Sequence, residues 1–344
     1  MKILMLYAND LFDSDLEEKS IAGTQTAFIE LSRAFEQLGA IVHVHTETLR
    51  VLENQGRTWN QLSQVDASAV YDLMIVNVSP YLFHNFNHIK ARKKILWIHN
   101  EAKYLLYWRR LKYLLKYRPF VVFSGNYHKS TLPFFIPTGG RKVIPYGISE
   151  EVLQMSISSP LDRNKKIYFT SNPLRSLRWL VDLWVSEIQP HHPDAELHIF
   201  AGWKTYGAWG VAVKNRMQME IEYASQFKMN KIVIRDVLPK EELFSEMKEG
   251  RAMFYKGDRA ETFCLAVAEA QALGLPAVVC DLGSMKERVE HGVTGFVARS
   301  DEEFVKYAIK VLKDDQLCLQ LSIAAKNKYI EMNWLKVANQ FLDI

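Results

Sequence analysis

The sequence predicts an α/β fold made of two doubly wound, Rossmann-like domains. A near-continuous apolar run, Lys2–Tyr7, is typical of a parallel strand that is covered on both faces. A helical segment and a second apolar run, Ile41–His45, follow it and complete a strand–helix–strand unit. In the second half, the helical segment Glu261–Gly274 leads directly into the strand-like run Pro276–Cys280. The length of 344 residues is large for one domain and suits two.

The composition is that of an ordinary soluble protein. Hydrophobic residues make up 48% and charged residues 24% of the chain, and no apolar run approaches the ~20 residues that cross a bilayer. The net charge of +4 is too small to favour nucleic acid as a partner. The cysteines Cys264, Cys280 and Cys318 show no metal-ligand spacing and suit a reducing compartment. We therefore expect a cytoplasmic protein, and peripheral attachment to the inner face of a membrane stays an open alternative.

The first half of the sequence continues the alternation of helices and strands. A helix predicted at Thr26–Leu38 ends at Gly39, and the runs Tyr71–Val78 and Lys94–His99 have the apolar content of further strands. The loop before the helix contains Ala22-Gly23-Thr24, whose spacing does not match the G-x-G-x-x-G dinucleotide fingerprint. This mismatch argues against a dehydrogenase.

Two polar features of the first half have both a functional and a structural interpretation. His99 ends a predicted strand, where ligands bind in open α/β sheets, but a lone histidine there is more often a hydrogen-bonded structural residue. Asp13-Ser14-Asp15 matches the D-x-D pattern of some metal sites. Because it lies in an acidic loop and does not follow a mid-chain strand, we interpret it as a chance match and expect no metal site.

A basic and aromatic segment, Ala102–Tyr117, is predicted as one helix. At 100° per residue its apolar and aromatic residues share one stripe, which cations flank on both sides. The stripe contains Tyr104, Tyr107, Trp108, Leu111, Leu114 and Leu115, and the cations are Lys103, Arg109, Arg110, Lys112 and Lys116. Such a pattern is typical of an interfacial helix on anionic lipid. It is equally typical of a helix that packs on its own domain while its cations reach solvent, and both interpretations stay open.

Two glutamates, Glu261 and Glu269, lie eight positions apart in the segment that ends at Gly274. If one helix carries both, its rise of ~1.5 Å per residue separates them by roughly 12 Å along the axis. That is about the span of a nucleoside-diphosphate sugar from its hexose to its ribose, and a helix start offers backbone N–H groups to a pyrophosphate. The structural alternative is a glutamate favoured by the helix dipole together with an unrelated charge.

Longer stretches around these glutamates resemble the donor half of retaining glycosyltransferases of family 4, which have the GT-B fold. The resemblance is carried by Phe254–Cys264 and Asp281–Val297, and it extends through Phe120–Ser124, Lys142–Ile148, Pro193–Gly202 and Asn333–Ile344. It implies an N-terminal domain at residues 1–150, a nucleotide-sugar domain at 151–328, and a C-terminal helix at 329–344 that crosses back to the first domain. The two domains are expected to face an inter-domain cleft.

The resemblance assigns roles to five residues of the second domain. Glu261 and Glu269 correspond to the two glutamates of the family's E-x7-E motif, which hold the donor sugar and the ribose. The backbone amides at Phe263, Cys264 and Leu265 are expected to meet the donor phosphates.

Five further contacts are implied more loosely. The turn at Val237 corresponds to the one that contacts the nucleobase through backbone groups. Asn172 and Arg175 lie in the loop that normally supplies an arginine and a lysine to the pyrophosphate; Arg175 takes the lysine's place, and the usual arginine has no counterpart. In the first domain, Gly23 is implied to approach the donor phosphate, and His99 to lie beside the donor sugar and the acceptor.

The resemblance therefore implies transfer of a hexose from a nucleoside-diphosphate sugar with retention of configuration and no metal. The donor serves as a substrate, and no further cofactor is expected; UDP is the commonest donor nucleotide in the family. The expected acceptor is a glycan or a lipid-linked molecule, as in cell-surface polysaccharide or glycolipid synthesis. Two alternatives stay open: a sugar-nucleotide epimerase of the same fold, and a non-catalytic, membrane-docked binding subunit, which the missing arginine favours.

Overall fold

Two predominantly parallel sheets organise the chain, one in each of two units. The structure, a computed structural model, describes residues 1–8, 22–47, 52–54, 57–156 and 165–344. The D-x-D sequence at Asp13–Asp15, which we interpret as a chance match to a metal site, lies outside these residues. The first unit contains the N-terminal strand, Ala22–Gly147 and Trp334–Ile344, and the second contains Ile148–Asn333. Each unit has a Rossmann-like strand order, which confirms the predicted fold class.

The sheet of the first unit has eight strands in the described part of the chain. They are β1 (Lys2–Tyr7), β2 (Ile41–Thr46), β3 (Leu52–Asn54), β4 (Arg57–Gln61), β5 (Val70–Asn77), β6 (Lys90–Trp97), β7 (Phe120–Phe123) and β8 (Gly140–Val143). Their order is β3-β4-β2-β1-β5-β6-β7-β8, and every pair is parallel except β3 with β4. The order reverses between β1 and β5, as in a doubly wound sheet.

Helices and a second sheet complete the two units. The first unit has α1 (Gly23–Gln37), α2 (Leu82–Asn85), α3 (Trp108–Tyr117) and α4 (Asn126–Ser130). In the second unit α5 (Glu150–Gln154) precedes the strands β9 (Lys166–Phe169), β10 (Glu196–Phe200), β11 (Ile232–Arg235), β12 (Ala252–Tyr255), β13 (Ala277–Cys280) and β14 (Gly295–Ala298). Its other helices are α6 (Leu177–Leu183), α7 (Gly207–Ala212), α8 (Lys214–Ser225), α9 (Lys240–Met247), α10 (Leu265–Ala272), α11 (Met285–Arg288), α12 (Asp301–Lys313) and α13 (Asp315–Tyr329).

The central strands are buried as their apolar sequences predict. In β1 the residues Ile3, Leu4, Met5 and Leu6 are all fully buried, because helices cover both faces of a parallel sheet. The neighbouring strand β5 is buried in the same way. Because the strand interiors are apolar, the polar residues of the candidate sites lie at or after the ends of strands.

The predicted helix at Ala102–Tyr117 is broken into two pieces. Ala102–Leu106 is a 3-10 helix, Tyr107 is extended with φ −63° and ψ 129°, and α3 begins at Trp108. Leu105 and Leu114 are nine positions apart and would point to opposite sides of one α-helix. Both are fully buried in the same core cluster, so the chain must turn between them.

The C-terminal helix α14 (Trp334–Leu342) belongs to the first unit. The ring of Phe341 lies edge-on to two aromatic rings, at 5.3 Å from the Trp97 centroid and 6.3 Å from the Phe35 centroid. Phe341 therefore joins α14 to α1 and to the end of β6.

We expect Phe341→Ala to lower the free energy of unfolding by about 3–4 kcal/mol, because it removes a buried ring and leaves a cavity between aromatic neighbours. Urea denaturation followed by circular dichroism measures this loss. Ile330→Ala, at a side chain that is 58% exposed, is the control and should change stability by less than about 0.5 kcal/mol. Equal effects of both substitutions would contradict the packing assigned to α14.

Candidate active site

The site residues predicted in the second unit gather at the carboxyl edge of its sheet. The strand order β11-β10-β9-β12-β13-β14 is the Rossmann order and reverses between β9 and β12. Arg175 lies in the turn after β9, and Glu261 lies in the turn after β12. Ligands of open α/β sheets bind at such a reversal, because the connections from the two central strands leave on opposite sides of the sheet.

Arg175 and Glu261 form an ion pair in this position. Arg175 Nη1 donates to Glu261 Oε1, and the hydroxyl of Tyr255, the last residue of β12, donates to the same oxygen at 2.7 Å. The Glu261 side chain is 8% exposed, whereas that of Arg175 is 36% exposed. The carboxylate is therefore enclosed and held from two sides, while the Arg175 side chain is partly exposed.

The surroundings of this pair shift the pKa values of three groups. Burial alone would lower the pKa of Arg175, but the Glu261 carboxylate raises it above its ordinary value. Burial, helped by Glu261, raises the pKa of Tyr255 well above its ordinary value, and burial raises that of Tyr206. At neutral pH the guanidinium is thus charged, and both phenols keep their protons and can donate hydrogen bonds.

The helix that carries Glu269 starts later than predicted. α10 begins at Leu265, and Cys264 before it has φ 65° and ψ 76°, a left-handed conformation that does not continue into a helix on its N-terminal side. Glu261 therefore lies outside the helix, and the roughly 12 Å separation along one helix axis was wrong. Burial, together with the nearby Glu261 carboxylate, raises the pKa of the Cys264 thiol. The site thus holds a neutral thiol beside the N-terminal turn of α10, whose N–H groups suit an anion.

Gly283, in the turn after β13, packs closely against the backbone of Glu261. It has φ 54°, and a Cβ atom there would lie 2.5 Å from Asp258 O and 2.7 Å from Glu261 O. Ser284 N donates to Glu261 O at 3.0 Å. Because only glycine permits this close approach, the turn after β13 can support the backbone of the turn that bears the carboxylate.

Glu269 pairs with a lysine that the sequence analysis did not consider. Lys240, the first residue of α9, donates from Nζ to Glu269 Oε1, and the two side chains are 27% and 14% exposed. A cation in the first turn of a helix interacts unfavourably with the helix dipole. The position of Lys240 in the sequence could therefore have indicated that a carboxylate compensates its charge. Tyr255 was also missed, because its position at the end of an apolar strand made it look like a core residue.

Asn172 and Val237, two further predicted residues of the second unit, take part in local turns. Asn172 Oδ1 accepts from Leu174 N at 2.9 Å, and its carbonyl accepts from Arg175 N at 2.9 Å, so Asn172 shapes the loop that presents Arg175. Val237 N donates to Asp236 Oδ1 at 2.9 Å in the turn between β11 and α9. This turn leads through Pro239 into the helix that starts at Lys240.

Two predicted residues, Gly23 and His99, lie in the first unit. Gly23 is the first residue of α1, after β1, and the preceding Ala22 N donates to Gln25 Oε1 at 3.2 Å. Gly23 therefore lies at a helix N-terminus beside the strand-order reversal between β1 and β5.

His99 is buried, at 5% exposure, two residues after β6. Its Nε2 contacts Asn77 Oδ1, and its Nδ1 contacts the hydroxyl of Tyr146. An Oδ1 atom only accepts, so His99 donates from Nε2 and Tyr146 donates to Nδ1. Burial, together with the nearby His128, lowers the pKa of His99 to about 3. His99 is thus a neutral imidazole held in one tautomer.

Neither a metal-binding cluster nor a membrane-spanning helix occurs among the described residues. Within residues 1–8, 22–47, 52–54, 57–156 and 165–344, no cluster of three or more His, Cys, Asp or Glu side chains is placed to hold a metal ion. In the same part of the chain, no helix has the length and apolar character needed to cross a bilayer.

Comparison with known proteins adds a family match and several similar folds. Residues 191–328 match the family model described as glycosyl transferases group 1, and no curated protein matches the chain. Sucrose-phosphate synthase (tll1590) from Thermosynechococcus elongatus is 14% identical, with 99% of this chain and 97% of that chain covered and a TM-score of 0.73. Anabaena Alr3699/HepE in complex with UDP-glucose is 14% identical, with 100% and 98% covered and a TM-score of 0.72. The trehalose-6-phosphate synthase OtsA is 9% identical, with 100% and 98% covered and a TM-score of 0.76.

The fold and the family match define the chain as a glycosyltransferase with the GT-B fold. Its second unit contains a glycosyl transferases group 1 domain, and Lys240, Glu261 and Glu269 all lie within the matched residues. Arg175 lies before them in the sequence and reaches the domain's carboxylate through the turn after β9.

We expect Arg175→Met to lower the free energy of unfolding by about 2–3 kcal/mol, because the enclosed Glu261 loses its cation. The loss should stay below that of a fully buried pair, since Arg175 is partly exposed. Glu261→Gln in the same chain should recover much of it, with a coupling energy of at least about 1 kcal/mol in urea denaturation. Arg178→Met, at an exposed ion pair with Glu220, is the control; additive effects of the Arg175 and Glu261 changes would contradict the pairing.

The depressed pKa of His99 predicts a loss of stability in acid. Between about pH 6.5 and pH 3 the unfolded chain binds a proton at His99 that the folded chain does not, so stability falls by about 1.4 kcal/mol per pH unit as pH is lowered. We expect His99→Gln to reduce this slope by that amount when urea midpoints are compared at pH 6.0 and pH 4.5. The pKa of His128 is also lowered, to about 4, mainly by burial, so part of the slope should remain. An unchanged slope in His99→Gln would contradict the buried, neutral imidazole.

Proposed function

We propose that the chain is a retaining, metal-independent hexosyltransferase that takes its sugar from a nucleoside diphosphate, with UDP as the first candidate. One observation carries the proposal. At the strand-order reversal of the second unit, a charged guanidinium, an enclosed carboxylate and the start of α10 come together through Arg175, Glu261 and Leu265. A cation beside helix amides suits a diphosphate, and a carboxylate beside them suits sugar hydroxyls.

The proposed chemistry is departure of the diphosphate from the sugar on the face that the acceptor enters. Arg175 and the first amides of α10, near Phe263 and Cys264, would stabilise the negative charge that develops on the leaving phosphate. The acceptor hydroxyl would lose its proton to that phosphate as the new glycosidic bond forms. Glu261 would accept hydrogen bonds from the sugar and hold it in place.

The nucleoside is proposed to bind between Glu269 and the turn at Val237. Lys240 holds the Glu269 carboxylate in place, and that carboxylate would accept hydrogen bonds from the ribose hydroxyls. Backbone groups of the turn would meet the base. The Anabaena Alr3699/HepE structures contain UDP or UDP-glucose, and this supports UDP as the first nucleotide to test.

Three other residues have supporting roles in the proposal. Asn172 shapes the loop of Arg175 through its hydrogen bond to Leu174 N. Gly23 would offer a helix-start amide to a phosphate. His99, whose single N–H is donated to Asn77 Oδ1, would contribute an uncharged ring and not a cation.

The proposed acceptor is a glycan or a lipid-linked molecule, which would place the enzyme in polysaccharide or glycolipid synthesis on the cytoplasmic side of a membrane. The exposed cations Arg109, Lys112 and Lys116 on α3 support attraction to an anionic acceptor or membrane. Family 4 membership rests on the motif around Glu261 and Glu269.

The non-catalytic alternative has one observation in its favour. Arg175 is the cation at the predicted phosphate loop, and it is already paired with Glu261. A chain that has lost donor binding could retain such a pair as a purely structural contact. Nucleotide binding therefore separates the proposed enzyme from a binding subunit.

We expect one nucleoside diphosphate among UDP, GDP and ADP to stabilise the chain in EDTA by about 2.7 kcal/mol at 100 times its dissociation constant. The response should disappear in Glu269→Ala and persist in Glu302→Ala, an exposed carboxylate on α12 of the same unit. Thermal unfolding measures both. With the matching sugar nucleotide, the transferase should release free diphosphate only when an acceptor is present. An epimerase would instead convert the sugar nucleotide to its epimer without an acceptor and without net release of diphosphate. No stabilisation by any of the three nucleotides would reject the transferase in favour of the binding subunit.

A further inference from the structure

The four most exposed aromatic side chains of the described residues all belong to the first unit. Tyr107 and Trp108 are 63% and 71% exposed, and Phe134 and Phe135 are 91% and 69% exposed. Single exposed apolar residues are common on proteins, but two adjacent pairs of large aromatics indicate a surface that binds something.

The loop that carries Phe134 and Phe135 is held by the side chain of Arg141. The guanidinium of Arg141 donates to three carbonyl oxygens of the loop: Leu132 O at 3.1 Å, Pro133 O at 2.9 Å and Ile136 O at 2.6 Å. The loop therefore wraps around one side chain, which holds the two phenylalanine rings outward. Their exposure is a property of a defined loop conformation.

The two aromatic pairs lie on the same face of the first sheet. The connections β6–α3–β7 and β7–α4–β8 both lead to the next parallel strand in one direction, and right-handed crossovers put both on one face. Leu114 of α3 and Leu132 of the loop belong to one buried cluster below that face. The outer side of this layer combines exposed aromatics with cations, and we call it the aromatic–cationic surface: Tyr107, Trp108, Phe134, Phe135, Arg109, Lys112 and Lys116.

Charge is concentrated in the same part of the chain. Residues 90–142 contain thirteen Lys or Arg residues and a single carboxylate, Glu101, whereas the whole chain has 43 cations against 39 carboxylates. The remainder of the chain is therefore net negative. Along α3 the exposed positions Arg109, Lys112 and Lys116 follow helical spacing and point to one side.

We propose that the aromatic–cationic surface docks the first unit on a bilayer that contains anionic phospholipid, with Phe134 and Phe135 entering the interfacial layer. Aromatic side chains favour the membrane–water interface, and the cations bind the negative lipid headgroups. The surface differs from the stripe predicted for one continuous helix, because Leu114 of that stripe is buried in the unit's own core. Tyr107 and Trp108 of the stripe stay exposed.

A two-fold symmetric dimer with a second copy of the chain does not suit this surface. Two such surfaces facing each other would bring their cations together, and like charges across an interface disfavour association. The complementary occupant must be negatively charged and must accept apolar rings, which an anionic bilayer does over its whole area. Membrane docking depends on the proposed function in one respect only: the transferase would use it to reach a lipid-linked acceptor.

Co-sedimentation with vesicles tests the proposal. The full chain is mixed with vesicles of phosphatidylcholine alone or with about one-third phosphatidylglycerol, at about 0.1 M and about 0.5 M salt. We expect at least tenfold stronger partitioning onto the anionic vesicles at low salt, and a loss of most of it at high salt. Phe134→Ser with Phe135→Ser should weaken partitioning at least tenfold. Arg109→Gln with Lys112→Gln should weaken it about 25-fold, or about fivefold for each cation of ~1 kcal/mol.

Met219→Ser with Met229→Ser is the matched control, because both methionines are exposed apolar residues of the second unit, at 60% and 93%. This variant should partition like the wild type. Wild-type chain that does not distinguish the two vesicles, or a Phe134/Phe135 variant that binds like the wild type, would overturn the proposal. Absence of vesicle binding would leave an acidic protein surface as the occupant.

The failure of this proposal can be told apart from the failure of the proposed function. The vesicle assay contains neither donor nor acceptor, and the substituted residues take no part in the candidate active site. The same variants should keep the wild-type thermal response to the nucleoside diphosphate. If the chain binds anionic vesicles but no nucleotide, the docking surface is supported and the transferase is rejected. If it binds a nucleotide but no anionic vesicles, the transferase is supported and the docking surface is rejected.

Discussion

The contact between Arg175 and Glu261 determines how the second unit is organised around its candidate site. It joins the turns after β9 and β12, the two strands at which the sheet order reverses. An enclosed carboxylate without a cation costs several kcal/mol, so the two turns are held together as long as the pair is intact. Tyr255 adds a hydrogen bond from the strand itself, and Gly283 leaves the space that the backbone of Glu261 needs.

The same strand order explains why residues far apart in sequence meet here. Arg175 and Glu261 are separated by 86 positions, and no local pattern links them. In a doubly wound sheet the first and fourth strands of a unit are neighbours, and their carboxyl ends open in the same direction. A residue after β9 and a residue after β12 are therefore brought together by topology. The donor-binding hypothesis needs this topology more than it needs any single motif.

The sequence predicted the fold well because apolar runs and turn residues are local signals. The predicted strands at Lys2–Tyr7, Ile41–His45, Tyr71–Val78, Lys94–His99 and Pro276–Cys280 are present with ends shifted by a few residues, whereas β3 and β4 were not predicted. Gly274 was correctly placed after the end of α10, with φ 72°. The break at Tyr107 and the late start of α10 were missed, since both depend on burial of particular side chains in three dimensions. Lys240 and Tyr255 were missed for the same reason, because the importance of each comes from a partner distant in sequence.

The balance of charge in the candidate site bears on how a donor could enter it. Both predicted carboxylates already have cations, Arg175 for Glu261 and Lys240 for Glu269. Under the proposed function, a phosphate would approach the partly exposed Arg175 side chain and compete with Glu261 for the guanidinium. Glu261 would not be left bare, because Tyr255 continues to donate to it and sugar hydroxyls can replace the guanidinium. The exchange then moves one cation between two anions and leaves no buried charge without a partner.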